Sequence, residues 1–263
     1  MRTILITLMA IVAFALPLSA QGPQAMERDS WAGPINPGST VEVHNPYGDI
    51  RLRHGGFEGR LEVAAVLQQL AVDGSKLVLE VEIADDTAGV KVVRYNHLGE
   101  AVASAPNGDQ GRADLAVLIP EGFPTRAETG GGLIEARGVA SDVEIRTDSG
   151  TIRVAKTSGR ITAHSASGAM EITLETGTTK KAQSFSSVTG HITVFTAPTN
   201  DLDVTMATSG AFITDYSLDI SHQDQEEPNK TATSIIGDGG PDLVITSKRG
   251  DLALRRVVTI DTD

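Results

Sequence analysis

The chain contains no cysteine in its 263 residues. That excludes a disulfide framework, a thiolate metal site and a thiol nucleophile. It also excludes a lipoprotein anchor, which needs a cysteine at its processing site. Aromatic residues make up only 4%, so a core must be built from Val, Ile, Leu and Ala. Basic residues are outnumbered, 22 against 34 acidic ones, for a formal charge of −12. Nucleic-acid backbones and anionic membrane surfaces call for clustered Lys and Arg, so both are disfavoured as partners. The charge is spread along the chain rather than gathered in a tail, which serves solubility.

Long apolar runs are also scarce; the first twenty residues hold the only one. Arg2 precedes Ile4 to Leu18, broken only by Thr7 and Pro17, and Leu18-Ser19-Ala20 follows. This reads as a signal peptide over 1–20. The competing reading is an uncleaved anchor, but the run falls short of the ~20 apolar residues that span a bilayer. Pro17, Ser19 and Ala20 suit processing. The expectation is an exported protein, periplasmic or at the cell surface, and not integral to the membrane once cleaved.

Residues 21–38 carry Pro23, Gly33, Pro34, Pro37 and Gly38 without periodicity, and read as a flexible leader. Trp31, the sole tryptophan, either stacks on a sugar or plugs one end of the body; the plug is favoured. From Thr40 the apolar residues alternate, as in half-buried strands. Val41 and Val43 are followed by the turn Asn45-Pro46-Tyr47-Gly48, then Ile50 and Leu52. Further strands are predicted over 60–67, 76–83, 89–95 and 113–119, with a polar loop from Gly99 to Gly111. Leu61 to Leu70 has helix-forming residues, but the alternation of Leu61, Val63 and Ala65 favours a strand.

From Gly132 the chain moves in nines: Gly132, Ser141, Gly150, Gly159, Gly168 and Gly177. Apolar residues stand two and four places later, as in Ile134/Ala136, Val143/Ile145 and Ile152/Val154. Each unit is a short strand with a two-residue core stripe and a turn, and the glycine is assigned a positive φ. Two buried aliphatics contribute roughly 3–6 kcal/mol, while ordering nine residues costs on the order of 13 kcal/mol. Units must therefore stack. A solenoid with two units per coil places Glu135, Arg153 and Glu171 in one ladder and Asp142 beside Arg160. An antiparallel meander instead sets Glu144 against Arg153. Alternating signs along the ladders favour the solenoid. After Gly177 the period slips, and residues 221–242 form a polar insertion.

The segment Val41-Glu-Val-His-Asn-Pro-Tyr-Gly-Asp-Ile-Arg-Leu and the Ser/Thr-Gly-x-Ile-x-Val units from Gly130 to Val194 resemble the bacterial "putative adhesin" domain family, long catalogued as a domain of unknown function. The resemblance covers most of residues 39–256. It implies a glycine-paced β-solenoid, export or envelope association, and no family-wide catalytic residues. The insertion at 221–242 departs from the plain repeat.

Asp142, Glu144, Arg153, Arg160 and Glu171 could serve a cleft that cleaves acidic polysaccharides, but ladder pairing explains their spacing equally well. His44, His54, His97, His164, His191 and His222 show no zinc-binding spacing. Only Asp148 offers a carboxylate in the repeat turns, so calcium is left with Asp201, Asp203, Asp238 and Asp242, which also read as ordinary turn residues. No Gly-x-Ser-x-Gly elbow occurs, and Gly130-Gly131-Gly132 precedes a strand rather than the helix a phosphate loop needs. No catalytic, cofactor-binding or metal residue is assigned.

The fold expected is all-β: a single-stranded, β-helix-like solenoid over 39–263. The function expected is a non-enzymatic, adhesin-like interaction module whose partner is an envelope or surface protein or a glycan. The alternatives are an envelope-stress accessory that binds a membrane protein, and a polysaccharide-active enzyme. Open strand edges at the ends invite self-association.

Overall fold

The computed structural model describes residues 25–56, 59–69, 74–103, 111–175, 180–224 and 226–257. The expected signal peptide lies outside them. Among them are twenty-two strands: β1 (Ala25–Pro34), β2 (Thr40–His44), β3 (Ile50–His54), β4 (Arg60–Gln69), β5 (Lys76–Ile83), β6 (Thr87–Tyr95), β7 (Ala101–Val102), β8 (Arg112–Ile119), β9 (Thr125–Thr129), β10 (Ile134–Arg137), β11 (Val143–Thr147), β12 (Ile152–Ala155), β13 (Ile161–Ser165), β14 (Met170–Leu174), β15 (Gln183–Ser187), β16 (Ile192–Thr196), β17 (Leu202–Thr208), β18 (Phe212–Thr214), β19 (Asp219–His222), β20 (Lys230–Ile236), β21 (Asp242–Ser247) and β22 (Leu252–Arg256). They form two large mixed sheets, one of ten strands and one of twelve.

Through the repeats the chain alternates between the sheets. β9, β11, β13 and β15 lie in the twelve-stranded sheet; β10, β12, β14 and β16 lie in the ten-stranded one, and neighbours run parallel. Ile134 is the register partner of Ile152, and Ile152 of Met170. Residues eighteen apart therefore stand side by side, and the antiparallel meander is not adopted here. Inward-pointing aliphatics of both sheets make one core, with Ile134, Ile145, Ile152 and Ile161 almost wholly buried. Alternation puts every second side chain outside, and from β9 to β14 those are mostly polar or charged.

The repeat glycines correct the assignment made from sequence. Gly132, Gly150, Gly159 and Gly168 do not have positive φ; the positive-φ glycines lie elsewhere, for example Gly38 and Gly138. What requires glycine is close approach between stacked turns. A Cβ on Gly150 would run into the carbonyl oxygen of Gly132, and one on Gly159 into that of Ser141. Beside this glycine column runs a buried column of side chains three residues upstream. Asn45, Thr129, Thr147, Ser165, Ser187 and Ser247 end their strands or follow them, and all are buried. Gly150 N–H donates to Thr147 Oγ1 at 2.9 Å, Gly168 N–H to Ser165 Oγ at 2.7 Å, and Gly190 N–H to Ser187 Oγ at 2.8 Å. The hydroxyls satisfy backbone donors that the turn would otherwise bury unpaired.

The two ends depart from the repeat. Residues 21–38 are not simply a leader: β1 pairs antiparallel with β4 along its whole length. Trp31 is the register partner of Val63 and packs half-buried against the core at this end. β4 runs antiparallel to β8, and β5 to β6. Part of the predicted loop after Gly99 forms β7; residues 104–110 lie outside the description, as does Gly177. At the other end, parts of the insertion at 221–242 form strands. β20 pairs antiparallel with β17, and β19 pairs antiparallel with β20. The register offset, eighteen up to β14, becomes twenty-two from β13 to β15, as in Ala163 against Phe185. Chain order then breaks: β21 lies between β15 and β17, and β22 between β16 and β18. β21 and β22 thus fill a gap that β17 and β18 had stepped over.

Candidate binding surfaces

The five residues considered for catalysis are divided between opposite faces. Glu144 is on β11, and Asp142 and Arg160 precede β11 and β13, all in the twelve-stranded sheet. Arg153 and Glu171 are register partners in the ten-stranded sheet. Both candidate carboxylates on the first face are engaged by neighbouring donors. Asp142 accepts from Lys181 Nζ at 2.6 Å and from the Arg160 backbone N–H at 2.9 Å. Partial burial would raise its pKa, but those donors outweigh it and hold the carboxyl below its ordinary value. Glu144 takes Arg126 at 3.1 Å and Arg146 at 2.9 Å, and those arginines likewise outweigh burial and keep it low. Such shifts serve ionised ladder partners, not a general acid.

The histidines are equally dispersed. His164 Nδ1 meets Ser186 Oγ at 2.9 Å, His191 Nδ1 lies 3.6 Å from Asp251, and His44 lies 4.0 Å from Glu128. Asp201 accepts the Asp238 N–H at 2.9 Å, and Asp203 is the register partner of Asp242. Among the described residues no group of three potential ligands could hold a metal ion.

An open groove of about 1030 Å³ lies beside the turns of β2, β9 and β11. Its floor includes Tyr47, Gly48 and Gly130 to Gly132, and its walls include Lys91, Arg94 and Arg112. These cations are engaged locally. Lys91 pairs with Glu80 at 3.1 Å, Arg112 with Asp49 at 3.0 Å and Asp114 at 2.9 Å, and Arg94 Nε donates to Ser75 at 2.9 Å.

No family model and no curated protein matches this chain. Solved structures give faint likenesses. A "putative cell adhesion protein" from Clostridium sporogenes is 13% identical with a TM-score of 0.42, covering 88% of this chain and 100% of that one. A "putative adhesin" from Bacteroides fragilis is 11% identical with a TM-score of 0.34, covering 88% and 97%. A "putative lipid binding protein" from Parabacteroides distasonis is 12% identical with a TM-score of 0.35, covering 88% and 97%. Likenesses this distant carry no argument about what the chain does.

The sequence reading passed over a group that the register assembles on the ten-stranded face. Arg51 and Arg53 on β3 stand opposite Glu135 and Arg137 on β10, which stand opposite Arg153 and Ala155 on β12. Arg53 Nη2 reaches Glu135 Oε2 at 2.7 Å, and this bond, ahead of partial burial, keeps Glu135 low. Arg51 reaches Asp49 at 3.5 Å. Among the described residues, Arg137 and Arg153 form no ion pair. The repeated Ile-x-x-Arg of 50–53 and 134–137 was the available signal, but only tertiary pairing makes the two copies neighbours.

Proposed function

We propose that this protein is an exported, non-enzymatic β-solenoid that works as an adhesin-like interaction module at the cell surface or in the periplasm. In this reading residues 1–20 are its signal peptide, and 39–263 form one body with β1 folded onto it. The parallel pairing of residues eighteen apart supports two strands per coil. One observation carries the functional reading. Outward ionisable groups are laid out in register rows over two broad faces, and the candidate catalytic residues are parted between them. Such faces suit contact with an extended partner, an envelope protein or a glycan, better than they suit turnover of a small substrate. The test is binding of the purified protein to whole cells, extracellular matrix and immobilised glycans. Failure to bind any of them sinks the module reading. Release of reducing ends from an acidic glycan, abolished by Asp142→Asn or Arg160→Ala, would favour an enzyme instead.

A further inference from the structure

Two placements at one corner of the ten-stranded sheet work against stability. Arg53 and Arg137 are register partners on adjacent parallel strands, about 4.8 Å apart, and like charges set directly opposite are destabilising. Glu135 engages Arg53, which leaves Arg137 without an ion pair among the described residues. The residue after β12, Lys156, has φ +57°, the one non-glycine with positive φ among those described. One coil earlier the corresponding residue is Gly138, at φ +74°, just past the register pair Arg137 and Ala155. A lysine thus occupies a left-handed position where the preceding turn uses glycine. Lys156 also forms no ion pair among the described residues. Strain of this kind that stability does not explain is a pointer to function.

Resting on the reading of the protein as a binding module, we infer that Arg53, Arg137 and Lys156 form an anion-binding corner whose ligand is a linear polysaccharide bearing carboxylates. Arg53 and Arg137 end or nearly end β3 and β10, and Lys156 follows β12, the next strand, so the cations step along the stack. A guanidinium fork takes a carboxylate in bidentate fashion. The corner is narrow: the next row toward the opposite turn alternates in sign, Arg51, Glu135, Arg153 and Glu171, and the chain as a whole carries −12. A thin anionic polymer can follow the cations, whereas a flat anionic bilayer or a duplex would also meet those acids.

Calorimetric titration of the purified protein with polygalacturonate tests this, alongside dextran, phosphatidylglycerol vesicles and a single-stranded oligonucleotide. Saturable, salt-sensitive binding of polygalacturonate alone is expected. Arg137→Thr and Lys156→Gly should each weaken it about tenfold, the scale of one charge-assisted hydrogen bond, while the melting temperature holds or rises. Lys248→Thr, which removes one charge from the turn between β21 and β22, should leave binding unchanged. A purely structural role for the corner would lower the melting temperature without this selective loss. Unchanged binding in both corner variants overturns the inference, as does binding of vesicles or oligonucleotide in place of the polymer. A protein that binds cells or matrix but not polygalacturonate also overturns it, with the module reading intact; binding to nothing at all removes both.

Discussion

At the scale of single residues, stability is set where stacked turns touch. Gly150 has no room for a methyl group because the Gly132 carbonyl occupies the space, whereas a Cβ on the exposed Gly131 would meet only Ser149 Oγ, at 3.4 Å. Gly150→Ala should therefore cost about 2–3 kcal/mol through overpacking, and Gly131→Ala less than about 0.5 kcal/mol. Equilibrium denaturation of the pair checks the contrast, and equal losses would refute the close-approach account. The hydroxyl column makes a second prediction. Ser165→Ala removes the acceptor of the Gly168 N–H in a buried turn, and an unpaired buried donor costs about 1–3 kcal/mol. Gly168 should then lose its hydrogen-exchange protection ahead of its neighbours.

At the scale of strands, the outward ladders couple neighbouring chains weakly and specifically. Sequence spacing pairs Glu135 with Arg153, and the register agrees, but the carboxylate bonds to Arg53 at 2.7 Å. A double-mutant cycle on Glu135 and Arg53 should give a coupling of about 0.5–1 kcal/mol, larger than one on Glu135 and Arg153. The reverse order would mean that the ladder is read in the wrong direction. The same carboxylates predict an acid response. Glu135, Glu144 and Asp142 are held below their ordinary values of 4.5, 4.5 and 3.8. A depressed folded pKa contributes stability that is complete above the unfolded value and is lost as pH falls through the folded one. The melting temperature should thus decline below about pH 4.5, and Glu135→Gln should shallow that decline.

At the scale of the molecule, the crossing of chain order at the C-terminal end governs cooperativity. In a plain stack, trimming the end removes one coil and leaves the rest. Here β21 and β22 are the interior neighbours of β15, β16, β17 and β18. A chain stopped after Gly240 would leave β15 and β16 as open edges and detach β17 and β18 from the stack. Such a truncation should aggregate or lose its cooperative unfolding transition, as measured by light scattering and thermal melts. A soluble monomer with an unchanged melting temperature would contradict the topology. Antiparallel pairs border the parallel stack on one side of both sheets, β1 with β4 and β5 with β6, and β19 with β20 ends the twelve-stranded sheet on the other, while β18, parallel to β22, is left as an edge open to pairing with another chain.

Local pattern was enough to specify the repeat strands, because alternation of apolar residues is a property of neighbours in sequence. The period of nine left two stackings open, two units per coil or an antiparallel meander, and the opposed charges of Glu135 and Arg153 favoured the first. The reason for the glycines was not legible, since a carbonyl eighteen residues away leaves no mark beside Gly150 in the sequence. Nor was β1, whose prolines and glycines conceal a strand that β4 holds in place. The insertion of β21 and β22 into the stack, and the meeting of Arg53 with Arg137, depend on contacts between residues far apart in the chain. Sequence by itself determined an aliphatic, glycine-paced β protein. Tertiary pairing alone decided the order of its strands, how its ends are bordered and the corner that brings Arg53 to Arg137, because those follow from long-range register rather than local periodicity.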